Sequence, residues 1–131
     1  MLDIEEGYRA KAWNSLAGAE SELAFGRRDN ATNRCYYACF QAAIGALIRQ
    51  QIRPSGTSWN HDFVQSQFVG QLINRRKLYS AGLRQVLRET QIVRTLADYS
   101  PGSVSTRDAV RAVRSTRDFV TAIQGDGAST I

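Results

Sequence analysis

The chain has 131 residues, 43% hydrophobic and 22% charged, with 17 basic and 12 acidic side chains for a net charge of +5. That length holds one domain with a core that needs neither metal nor disulfide, and the balance excludes a disordered or fibrous chain. The basic excess is mostly arginine, which permits a nucleic-acid or nucleotide partner but is equally consistent with solvated helix faces.

The first predicted element is a helix from Asp3 to Phe25, with Ala10, Trp13, Leu16, Ala17 and Leu23 at helical spacing. Its N-terminal flank is acidic and lacks the apolar core of a signal peptide. Gly26 stops this helix, and Arg27–Asn30 reads as a short polar turn. The second helix runs from Ala31 to Gln51. Its segment Asn33–Ile48 is apolar around nearly its whole circumference, so other elements must surround it. Arg34, Gln41 and the many Ala and Gly residues argue against a membrane span, and no other window qualifies. A cytoplasmic protein without membrane association is the expectation.

Residues 52–59, with Pro54, Ser55 and Gly56, form a loop. Ser58 or Asn60 caps a third helix carrying Phe63, Val64, Phe68, Val69 and Leu72. A basic connection, Asn74–Lys77, leads to a fourth helix capped by Ser80, with Leu83, Val86, Leu87, Ile92 and Val93 as its inner face. Pro101 and Gly102 end it. Ser103 or Ser105 opens a fifth helix, where Val110, Val113, Phe119, Val120 and Ile123 oppose Arg107, Arg111, Arg114 and Arg117. The expected fold is all-α: an up-and-down bundle of four to five helices as a single domain over residues 1–124, followed by a flexible C-terminal tail, 125–131.

Conventional catalytic motifs are missing. One histidine, His61, and two cysteines on one helix, Cys35 and Cys39, do not make a metal site, so no metal and no cofactor are expected. The cysteines read as small core residues in a reducing compartment. No phosphate loop or nucleotide fingerprint occurs. Two segments remain. Arg94 and Asp98 are four apart and can pair on one helix face, with Tyr99 next to Pro101. This is either a helix-stabilising pair with a Tyr that closes the core, or a polar pocket in which Arg holds phosphate. Arg34 stands beside Tyr36 and Tyr37; it pairs with Glu20, Glu22 or Asp98, or it binds a ligand. The tyrosines point about 100° apart, so one packs inward with its hydroxyl bonded.

The block Asn33-Arg34-Cys35-Tyr36-Tyr37-Ala38-Cys39-Phe40-Gln41-Ala42-Ala43 resembles the HEPN domain family, in particular its small stand-alone prokaryotic branch of Arg-x-Tyr-Tyr-Ala type. His61 at the start of the third helix, and Arg94 with Ala97-Asp98-Tyr99 closing the fourth, extend the resemblance over about residues 8–124. It implies a helical bundle that usually dimerises. Many members are metal-independent ribonucleases of toxin–antitoxin or phage-defence systems, and others partner a minimal nucleotidyltransferase that adenylylates a Tyr. The ribonuclease signature is Arg, four to six residues, then His. Here Thr95-Leu96-Ala97-Asp98-Tyr99-Ser100-Pro101 follows Arg94 and holds no His. A neutral imidazole accepts a 2′-hydroxyl proton near pH 7, whereas a phenol of ordinary pKa, about 10, does so poorly.

The resemblance therefore implies a component of a toxin–antitoxin or defence module that acts on RNA or binds nucleotide as a homodimer. Arg94, Asp98, Tyr99 and His61 are its catalytic candidates, and Arg34, Tyr37 and Arg94 its RNA- or nucleotide-binding candidates. The alternatives are a non-catalytic module that partners a minimal nucleotidyltransferase, and a purely structural helical dimer. Bundle topology places Arg34, His61 and Arg94 in one pocket.

Overall fold

The computed structural model describes residues 3–125. It contains five α-helices: α1 (Ile4–Ala24), α2 (Arg28–Arg49), α3 (His61–Gln67), α4 (Val86–Tyr99) and α5 (Thr106–Gln124). No strand occurs among the described residues. All but the first residue of the expected tail lies outside them.

Caps set most of the boundaries. Asp3, Asn60 and Ser105 each accept a bond from a backbone N–H of the first turn that has no helical partner. Ser80 caps a single tight turn, Ala81–Leu83, instead of the fourth helix, which starts only at Val86. α2 begins three residues earlier than expected. Asp29 holds the Val104 amide at 2.9 Å and Arg28 Nε donates to the Val104 carbonyl at 2.6 Å, so these polar residues tie the α4–α5 loop to the helix start. α3 runs on through a wider π-helical stretch, Phe68–Arg75.

α1 and α2 form a hairpin, and α2 touches every other helix. Its small residues permit this. Ala38, Cys39, Ala42 and Ala43 are fully buried, and Gly45 lies where a Cβ would meet Tyr8 and Arg9. The main core packs α2 against Val64, Phe68, Leu72, Val86, Leu87, Phe119 and Val120. Cys35 and Cys39 are free and fully buried, as expected of core residues. Burial pushes their thiols up to about 11 and about 12, so both stay protonated. The half-buried Gln41 amide lies 2.7 Å from Ser15 Oγ, which accounts for one polar position on α2.

Several inner-face expectations need correction. Ala10 and Ala17 of α1 are exposed; Ala12, Ser15, Leu16 and Ala19 face the core. Ile92 and Val110 also lie outside, 48% and 37% exposed. The rest of the α5 stripe, Val113, Phe119, Val120 and Ile123, is buried as expected and is joined by Ala109, Ala112 and Thr116, while α4 buries the expected Val86 and Leu87 together with Thr90 and Ala97. Thr90 is tolerated inside because its hydroxyl bonds back to the Val86 carbonyl at 2.9 Å.

Candidate functional site

The neighbouring tyrosines of α2 organise a cluster of aromatic and cationic side chains. Tyr36 is buried and Tyr37 half-buried, with rings edge to face at 5.2 Å. Phe40, one turn on, stacks on Tyr36 at 5.5 Å. His61, the first residue of α3, lies 5.7 Å from the Tyr36 ring. From α4, the Arg94 guanidinium sits 5.0 Å from the Tyr36 ring centre and 5.2 Å from that of Tyr37. Arg34 approaches the Tyr37 ring at 5.8 Å. The negative faces of these rings attract both guanidiniums.

One hydrogen bond engages His61. Its Nδ1 is 3.0 Å from the Tyr36 hydroxyl. Burial raises the Tyr36 phenol above its ordinary range, partly offset by the Arg94 charge, so Tyr36 keeps its proton. Desolvation lowers His61, against a smaller opposing effect of Asp62. A neutral phenol and a neutral imidazole share this bond, with the donor set by the imidazole tautomer, and either way Nδ1 is engaged by Tyr36.

Arg94 and Asp98 pair at 3.6 Å, as their spacing predicts. That separation is too long for a hydrogen bond, and the buried Arg94 Nε has no hydrogen-bond partner. Arg34 departs from expectation. Among the described residues it forms no ion pair; Glu20 goes to Arg117, Glu22 to Arg27 and Asp98 to Arg94. Its only polar contact is with Asn33 Oδ1 at 3.2 Å. Tyr99 does not close the core: it is 84% exposed and makes no ring contact or hydrogen bond among the described residues.

Arg34, His61 and Arg94 thus gather about Tyr36 and Tyr37, Asp98 is joined to them through Arg94, and Tyr99 stands apart. A cleft of about 280 Å³ lies between α4 and α5 against Glu89, Ile92, Asp108 and Arg111, and no cluster residue lines it. Phe40 is the member that sequence reasoning missed; its i, i+4 relation to Tyr36 was the available signal. Among the described residues no group of three or more metal-ligating side chains occurs. No helix among them is long and apolar enough to cross a membrane.

No curated protein matches the chain. The family model of the HEPN domain matches residues 6–126, nearly the whole chain, and covers every member of the cluster. The chain belongs to the HEPN domain family.

Proposed function

We propose that this chain is the HEPN component of a toxin–antitoxin or defence module and engages RNA or a nucleotide, as a homodimer, through the face formed by Arg34, Tyr37 and Arg94. The observation that carries this reading is two guanidiniums on one half-buried tyrosine ring, with Arg34 exposed and Arg94 Nε unbonded. An aromatic face takes a base, and planar guanidiniums take phosphate oxygens two at a time. The same geometry favours binding over cleavage. The one imidazole has its Nδ1 engaged by Tyr36, and Asp98 partly neutralises Arg94. If cleavage occurs, Arg94 supplies the phosphate charge stabilisation and His61 the proton transfer, after the Tyr36 bond turns over.

The dimer reading is supported by an apolar strip on α4. Ile92, Leu96 and Tyr99 share one face and are 48%, 57% and 84% exposed. One observation favours a second reading, partnership with a minimal nucleotidyltransferase: the Tyr99 phenol is free and open to solvent. There it can act as acceptor, its oxygen attacking the α-phosphorus of a nucleoside triphosphate as pyrophosphate leaves.

Induction of the wild-type protein in a bacterial host, beside Arg34→Ala and Arg94→Ala, tests the main reading. Growth arrest with RNA loss, or retention of RNA or nucleotide on the purified protein, is expected for wild type and is lost in both variants at unchanged circular dichroism. A wild-type protein that neither arrests growth nor retains RNA or nucleotide overturns it.

A further inference from the structure

The whole net charge of the chain sits in one stretch. Residues 49–84 hold six cations, Arg49, Arg53, Arg75, Arg76, Lys77 and Arg84, against a single acid, Asp62; the rest of the chain carries eleven basic and eleven acidic side chains. Asp62 stands beside His61, about 20 Å along the helical rise from Arg75.

Two hydrogen bonds draw together the segments that carry Arg49, Arg75, Arg76, Lys77 and Arg84, and Arg53 follows four residues after Arg49 in the loop. Arg76 Nη1 reaches the Gln50 carbonyl at 3.4 Å, joining the π-helical end to the end of α2. Arg84 Nε donates to Asn74 Oδ1 at 2.8 Å, which folds the segment before α4 onto the same corner. Arg49 and Tyr79 line one small cleft there. All six cations are exposed. Only Arg49 has an ion pair among the described residues, a long one to Glu5 at 3.9 Å. Lys77 has φ +54°, a conformation that glycine adopts at less cost, and a cation stands there instead. The corner lies about 20 Å along α2 from Tyr36, so it is separate from the tyrosine cluster.

We propose that this end of the bundle is a second RNA-contacting surface, which grips the sugar–phosphate backbone without reading bases. The proposal rests on the functional reading above only for the choice of RNA as the polyanion. Five of the six cations are arginine, whose planar fork fits phosphodiester oxygens. The corner offers no base platform: Tyr79, its aromatic, is half-buried and stacks on Phe68 at 5.6 Å. A membrane surface is less suited, because no amphipathic helix with exposed aromatics accompanies the charge.

The test is fluorescence anisotropy of a short labelled RNA of mixed sequence with the full chain, titrated from about 50 to about 200 mM salt. Six phosphate contacts on a single strand predict a log–log salt slope of about −4. Arg53→Gln/Arg75→Gln/Lys77→Asn removes three exposed cations without breaking an observed hydrogen bond. It is expected to lower the slope by about 2 and the affinity about a hundredfold near 0.1 M salt. Arg107→Gln/Arg111→Gln/Arg114→Gln removes equal charge from α5 and is expected to leave the slope in place. RNA binding with this slope by a protein that neither arrests growth nor cleaves RNA still supports the surface. Equal losses from both triple variants, a wild-type protein without a salt slope, or binding to anionic vesicles with RNA refused would each overturn it.

Discussion

α2 and α4 both supply side chains to the tyrosine cluster, yet only one of them is enclosed. Thirteen of the 22 residues of α2 are buried, among them every apolar residue of its last two turns. Only four of the 14 residues of α4 are buried, while Ile92, Leu96 and Tyr99 stay open. Apolar surface is costly to leave in water, so enclosure of α2 stabilises the fold, whereas α4 leaves one apolar face bare. Tyr36 and Tyr37 therefore stand on an enclosed helix, and Arg94 reaches them from a helix with one open face.

Substitutions of matched size can break that contrast. Leu47→Ala in α2, at a fully buried position, is expected to cost about 2–5 kcal/mol in chemical denaturation. Arg94→Ala comes next. It strips a cation from two ring faces and leaves Asp98 unpaired, for about 1–2 kcal/mol; a loss as large as that of Leu47→Ala would mean that α4 is as deeply integrated as α2.

Tyr36→Phe is expected to cost about 1 kcal/mol, the net value of its bond to His61. The same bond has a pH signature. Desolvation holds the folded His61 below its ordinary pKa, so the unfolded chain takes up the proton first as pH falls. Its contribution is complete above about pH 6.5 and is lost as pH drops toward the folded value. Denaturation midpoints across that window read the loss, and His61→Gln is expected to flatten it. The smallest effect on stability belongs to Leu96→Ala, within about 0.5 kcal/mol at an exposed site. Its consequence is expected in sedimentation instead, as weakened self-association; an unchanged dimer with a large stability loss would reverse the contrast between the helices.

Much of the frame was legible along the chain. The helix-breaking pairs, the Asn60 cap and the all-round apolar segment of α2 are local signals, and they located the helices to within a turn, with the late start of α4 as the exception. The Arg94–Asp98 pair was legible because a helix always brings i and i+4 together. Most of the inward rows of α4 and α5 was legible too, since Val86, Leu87, Val113, Phe119, Val120 and Ile123 are buried. Which apolar residues at the border of those rows stay outside was not, because periodicity alone does not say where a neighbour's cover ends. Ile92 and Val110 look like core residues in sequence and lie outside in space.

The residues about the tyrosines divide in the same way. The sequence by itself determined a helical bundle, a buried α2 and an Arg beside a tyrosine pair, because helical periodicity and capping act over a few residues; the HEPN resemblance rested on the motif around that pair. Only the tertiary structure decided that Arg34 takes no carboxylate partner among the described residues, that Arg94 lies across both rings and that His61 is bound through Nδ1 to Tyr36. Those facts depend on how α2, α3 and α4 rotate and slide against each other. Packing of large side chains such as Phe68 and Phe119, distant in sequence, sets that rotation.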